Sequence, residues 1–150
     1  MSTTNQQLQG TIVPRASAAR PIDPGVTIGH VHLRTADIDR VRAFYVDVLG
    51  FDVVMEARDV PGWGTTGDIL FLAAGGYHHH LGANTWESRG ASPPPAGTAA
   101  LRHATIVLPD DAARDRVLER LQQAGRAAED GEHGPAVSDP SGNRLVLSTE

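Results

Sequence analysis

Histidine dominates the chemistry open to this chain, which carries seven imidazoles and no cysteine in 150 residues. His30 and His32 fall in Ile28-Gly29-His30-Val31-His32-Leu33. His78, His79 and His80 fall in Gly75-Gly76-Tyr77-His78-His79-His80-Leu81, and His103 in Leu101-Arg102-His103-Ala104-Thr105-Ile106-Val107. Neutral imidazole is the commonest metal ligand, and it is the one unperturbed side chain that titrates near neutrality. Brought together, such segments make a divalent-metal site or an acid–base site. Kept apart, the same residues are polar linings of wet clefts and strand ends. The lack of cysteine removes thiolate chemistry, Cys-ligated metals and any disulfide framework.

Side chains two apart on a strand share a face, so His30 and His32 point the same way. His30 reads as a metal ligand and His32 as a neighbour that touches substrate or moves a proton. In the triplet, alternation turns inward either His79 or the pair His78 and His80. Counting from Gly75-Gly76 as from Gly142-Asn143 sets His79 level with Val146 and inward, as a third nitrogen ligand or a proton shuttle. His103 reads as a ligand only if His30 is one and otherwise as a polar lining residue, while His133 reads as a solvated loop residue. Trp63, Trp86 and Tyr77 are candidates for the walls of a pocket. Asn84, Arg89 and Arg102 are candidates for contact with an anionic group, and their spacing selects none of them.

The elements that must hold these residues form one pattern run twice. Val26 to Leu33 alternates as a strand. Thr35 or Asp37 caps a helix over about Ile38 to Leu49, with Val41, Phe44, Tyr45, Val48 and Leu49 on its apolar face and Gly50 ending it. Strands are expected over 51–56, 68–73 and 77–82, with a tight turn at Gly75-Gly76. After the proline-rich linker 92–97, Ala100 to Leu108 is a strand. Pro109-Asp110-Asp111 opens a helix with Val117, Leu118, Leu121 and Ala124 on one face and Gly125 closing it. Short strands within 126–129 and 134–138, the turn 139–143 and the strand Arg144 to Ser148 complete the copy. The expected fold class is α+β: two tandem βαβββ modules, 25–91 and 98–150, forming one domain with a half-barrel cleft. A module of this size does not bury both its helix and its sheet face alone.

Residues 1–24 are polar and contain Pro14, Pro21 and Pro24, which reads as a flexible leader without the apolar stretch of a signal peptide. No apolar run approaches the roughly 18–20 residues of a membrane span. The net charge of −5 and the scattered arginines argue against a nucleic-acid partner. The expectation is a cytoplasmic protein with a small-molecule partner, assembled as a homodimer by closing or exchanging modules across a two-fold axis.

On Gly29-His30-Val31 with Asp37, on Ala43-Phe44-Tyr45-x-x-Val48-Leu49-Gly50-Phe51, and on Asp139-Pro140-x-Gly142-Asn143, the chain from Val26 onward resembles the vicinal oxygen chelate superfamily of glyoxalases, bleomycin-resistance proteins and extradiol dioxygenases. Gly75-Gly76-Tyr77-His78-His79-His80 followed by Leu81-Gly82-x-Asn84-Thr85-Trp86 is similar to the small catechol-2,3-dioxygenase-like members. That resemblance implies a metal on the first-strand histidines, here His30 and His103, with a carboxylate from the last strand. It also implies an acid–base role for His79. The carboxylate position falls on Val146, which ligates nothing, and Ala136 stands near the position of an active-site tyrosine. Glu150, Glu56 and Asp68 are weaker substitutes for the carboxylate.

The function expected is a metal-dependent enzyme acting on a small catechol-like substrate through two vicinal oxygens. Its divalent ion is Fe(II) or Mn(II) by analogy, with Zn or Ni also suited to His30, His103 and His79, and His79 or His32 moves the proton. The alternatives are a sequestering protein of the bleomycin-resistance type and a glyoxalase- or epimerase-like lyase. The lyases usually need a glutamate base on a closing strand.

Overall fold

The computed structural model of the protein describes residues 22–23, 25–62 and 64–149. The expectations for the leader 1–24, for Trp63 and for Glu150 fall wholly or largely outside the described residues. Strand β1 spans Val31–Arg34, and helix α1, Ile38–Arg42, runs directly into a π-helical segment, Ala43–Leu49. Strands β2, Asp52–Gly62, β3, Thr65–Ala73, and β4, Leu81–Asn84, complete the first half. The second half holds β5, Ala104–Val107, α2, Asp111–Gln123, β6, Ala136–Ser138, and β7, Arg144–Ser148.

Local chemistry explains the helix ends. Asp37 Oδ1 accepts from the backbone N–H groups of Asp39 and Arg40, and Asp110 Oδ1 accepts from that of Ala113 at 2.7 Å. Each carboxylate satisfies donors that have no partner inside the helix. Gly50 stops the π-segment at φ 89°, a left-handed conformation that favours glycine.

The strands form two sheets, ordered β1-β4-β3-β2 and β5-β7-β6, in which β1 runs parallel to β4 and β5 parallel to β7. The second sheet has three strands: of 126–129, only Glu129 bridges to Ala136. Alternation sorts the faces. Leu33, Leu70, Leu72, Leu81, Ala83, Leu145 and Leu147 enter one core with Val41, Phe44, Tyr45, Val117 and Leu121 of the helices. His32, Phe71, Gly82, Asn84, Thr105 and Val146 therefore occupy the opposite faces.

Register corrects one expectation. Val31 pairs with Leu81 and His32 with Gly82, while Ala104 pairs with Leu145 and Thr105 with Val146. With His30 matched to His103, the counterpart of Val146 is Gly82 rather than His79. The triplet precedes β4 in irregular chain after Gly75 and Gly76, both at positive φ, so strand alternation does not govern it.

Strand β2 is a long, mostly exposed edge whose register shifts twice, between Val53 and Met55 and between Ala57 and Val60. Asp59 adopts φ 50° within the second shift.

The two halves are joined at a buried carboxylate. Asp139 accepts from the Ser141 and Asn143 backbone N–H groups, each at 2.8 Å, and from Asn143 Nδ2 at 2.9 Å. The Tyr45 hydroxyl donates to the same carboxylate at 3.0 Å across the interface. Burial, followed by the charge of Asp139, pushes the Tyr45 phenol far above its ordinary value, so it remains a donor. Nearby, Ser141 Oγ donates to Thr35 Oγ1 at 2.8 Å, and Arg120 Nη2 donates to the Leu49 carbonyl at 2.8 Å. Tyr45→Phe deletes a hydrogen bond to a charged acceptor and is expected to lower unfolding free energy by about 1.5–3 kcal/mol, read by denaturant titration. An unchanged midpoint would show that Tyr45 does not tie the halves together.

Candidate functional site

The polar face of β1 carries the site. His30 precedes the strand, His32 lies on it, and the 78–80 segment curls back over the same face. His30, His78 and His79 each offer a ring nitrogen, and these atoms all lie within 4.8 Å of one another. The His79 ring stacks on Phe71, with centroids 4.3 Å apart and planes 8° from parallel, and lies 4.4 Å from the His30 ring. Partial desolvation, then the His30 and His78 imidazoles, lower the His79 pKa. Neutral imidazole, the form that ligates a metal, is thereby favoured.

His32 is held beside this cluster. Asn84 Nδ2 lies 2.7 Å from His32 Nε2; with the amide nitrogen facing the ring, Asn84 donates and the ring proton resides on Nδ1. Desolvation lowers the His32 pKa first, and His30 and His79 add to it. Gly82 makes room for the ring, because a Cβ there would stand 2.7 Å from His32 Nδ1. His32, Arg34, Asn84, Trp86 and Glu87 line a cleft of about 450 Å³ on this face. Trp86 is fixed across the β2–β3 hairpin, donating Nε1–H to the Val60 carbonyl at 2.7 Å above Gly62 and Gly67.

The sequence-derived set is thus gathered in part. His30 and His79 meet, and His78, expected to point away, joins them. His103 is not in that cluster; its ring centroid lies 6.4 Å from that of His133. The physical reason is that β1 and β5 are outer strands of separate sheets, so residues preceding them need not converge. His80 is turned aside, its Nδ1 accepting from the Ala74 backbone N–H at 3.2 Å. Tyr77 packs on the His78 and His80 rings.

The substitute carboxylates are committed elsewhere. Glu56 pairs with Arg42 and Arg58, and Asp68 with Arg89 at 2.8 Å and with Arg58. That network also occupies Arg89. Val146 is 5% exposed and opposite Ala136 and Thr105, a wholly apolar answer at the position where the resemblance implies a ligand. The chain's own donors therefore fit a divalent ion as an all-imidazole set, with no carboxylate in the cluster among the described residues.

A family profile described as the Glyoxalase/Bleomycin resistance protein/Dioxygenase superfamily matches residues 27–147. The chain belongs to this superfamily. Among relatives of this superfamily protein is a catechol-2,3-dioxygenase of Bacillus subtilis, 38% identical over 141 residues. The match covers 93% of the chain but 47% of the relative, so the chain spans about half its length. The fold resembles the trypanothione-dependent glyoxalase I of Leishmania major, with TM-score 0.62, 22% identity and coverage of 83% of this chain and 88% of that one. It also resembles the fosfomycin resistance protein FosX of Mesorhizobium loti, with TM-score 0.58, 18% identity and coverage of 86% and 94%. At these identities the two structures speak to the fold, which is the α+β arrangement expected.

Gly82→Ala is expected to drive the His32 ring off Asn84 while the chain stays folded. Long-range proton–nitrogen spectra of the imidazoles would show a changed His32 tautomer. Unaltered His32 nitrogen shifts would refute this account of Gly82.

Proposed function

We propose that this superfamily protein is a metal-dependent enzyme acting on a small substrate through two vicinal oxygens, as a catechol presents them. The observation that carries the reading is the convergence of His30, His78 and His79 on one polar face. The half-length match to a catechol-2,3-dioxygenase supports the substrate class. A divalent ion bound there would supply Lewis acidity and lower the proton affinity of coordinated oxygens. Three neutral nitrogens suit Zn, Ni or Fe(II), and leave the bound ion more positive than a set including a carboxylate would.

The chain's residues supply the rest. Phe71 holds the His79 ring in one plane, and Asn84 fixes the His32 ring, so both imidazoles are oriented before substrate arrives. His79, kept neutral, accepts a proton from a substrate hydroxyl when it is not itself a ligand. Trp86 walls the adjoining cleft. The lyase alternative would need a glutamate base, and Gly82 and Val146 stand at the two equivalent closing-strand positions by strand pairing.

After reconstitution with Fe(II), Mn(II), Zn or Ni, elemental analysis is expected to find about one ion per chain. His30→Ala and His79→Ala are expected to weaken binding by at least about 10-fold, taking disrupted metal sites as the scale. The Fe(II) form is expected to consume O₂ with catechol. No retained metal in any reconstitution would end this reading.

Val146 favours a second reading, a sequestering protein that holds the same class of ligand without turnover. Thermal stabilisation by catechols that persists in excess chelator is the outcome expected of a binder.

His103 enters the proposal through a homodimer. The second copy would offer its own imidazole to the polar face of β1, opposite the face that β1 turns toward α2 and the space between β1 and β5. Light scattering at micromolar concentration is expected to give twice the 15.9 kDa chain mass. A monomeric mass would remove His103 from the ligand set.

A further inference from the structure

A second cavity lies on the other side of the sheets, between the two halves. Its volume is about 590 Å³, in the range that accepts a small organic ligand. Val31, Leu49, Phe51, Leu81, Ile106 and Leu147 give it apolar walls. Helix α2 contributes a single face to it: Ala113, Arg116, Val117 and Arg120, spaced at i, i+3, i+4 and i+7. Ala113 is small and leaves space, while Arg116 and Arg120 are exposed and stand at the solvent end.

Charge decides what the cavity takes. The protein carries a net charge of −5, yet no Asp or Glu lines this cavity. Arg116 and Arg120 stand one helical turn apart, where like charges repel. Among the described residues no carboxylate pairs with either. Arg120 meets the neutral Leu49 carbonyl, a contact that leaves its positive charge uncompensated. The mouth also exposes large apolar side chains, Ile28 at 87% and Val107 at 64%, as a surface that some apolar group covers does.

We propose that this cavity binds an amphipathic monocarboxylate, with the apolar body between β1, β5 and α2 and the carboxylate on Arg116 and Arg120. The apolar walls reward burial of a hydrocarbon chain or ring, and two adjacent guanidinium groups reward an anionic end over a neutral one. The site is separate from the histidine cluster in every lining residue except His30, and the proposal does not depend on a metal.

The experiment is calorimetric titration of the full chain in excess chelator with decanoate and, as the neutral control, decanol. Decanoate is expected to bind at one site per chain, at least about 10-fold tighter than decanol. Arg116→Glu is expected to abolish that preference while leaving decanol binding unchanged. Ala113→Leu, which fills the cavity, is expected to weaken both probes, with circular dichroism confirming that it folds. Equal affinity for the two probes, or decanoate binding indifferent to Arg116→Glu and Ala113→Leu, overturns the proposal. So does the absence of measurable decanoate binding.

Discussion

The buried Asp139 carboxylate is the interaction on which the rest of the structure depends. Two backbone N–H groups and the Asn143 amide satisfy it from its own turn, and the Tyr45 hydroxyl reaches it from the other half of the chain. A buried carboxylate short of partners would be strongly destabilising. The turn before β7 is therefore shaped around this group, and the helical segment carrying Tyr45 is pinned to it. Thr35 extends the same junction, accepting from Ser141 while its carbonyl accepts from Ser88, so the chain just beyond β1 is anchored as well. Placement of His30 and His32 follows from that anchorage.

Two kinds of glycine serve the site differently. Gly82 provides space, since only a residue without Cβ lets the His32 ring lie across β4. Gly75 and Gly76 provide backbone freedom, with φ of 63° and 76°, and turn the chain so that the following histidines return over β1. The arrangement puts neutral nitrogens at close quarters, and their mutual influence disfavours protonation of His32 and His79. An electron-pair donor set results, with polar cleft on one side and Phe71 on the other.

Much of this was legible in the sequence. Asp37, Gly50 and Asp110 marked helix ends because capping is a local matter of one side chain and a few N–H groups. The period-two pattern of the first strand set Leu33 apart from His30 and His32, and Leu33 is in the core. Where the outcome depended on distant contacts, the sequence said less. His79 lies beside His30, but strand parity, which turns it inward in the sequence, does not hold in a segment that is not a strand. His78 was missed for the same reason; the paired glycines just before it were the available sign that alternation would fail. Whether His103 meets His30 is decided by how two sheets are set against each other, and no spacing within either segment encodes that. The π-helical turn was equally hidden, because it accommodates Phe44 and Tyr45 together in the core.

The irregular register of β2 has a consequence for the protein's life in a crowded solution. An outer strand of this length, with Val53, Val54 and Met55 exposed, is a natural template for runaway polymerisation into fibrils. The two slips in pairing and the left-handed Asp59 bend that border out of line. Glu56, Arg58 and Asp59 then place charge along it. A neighbouring copy meets a crooked, charged rim where a straight ladder would have invited it to add on.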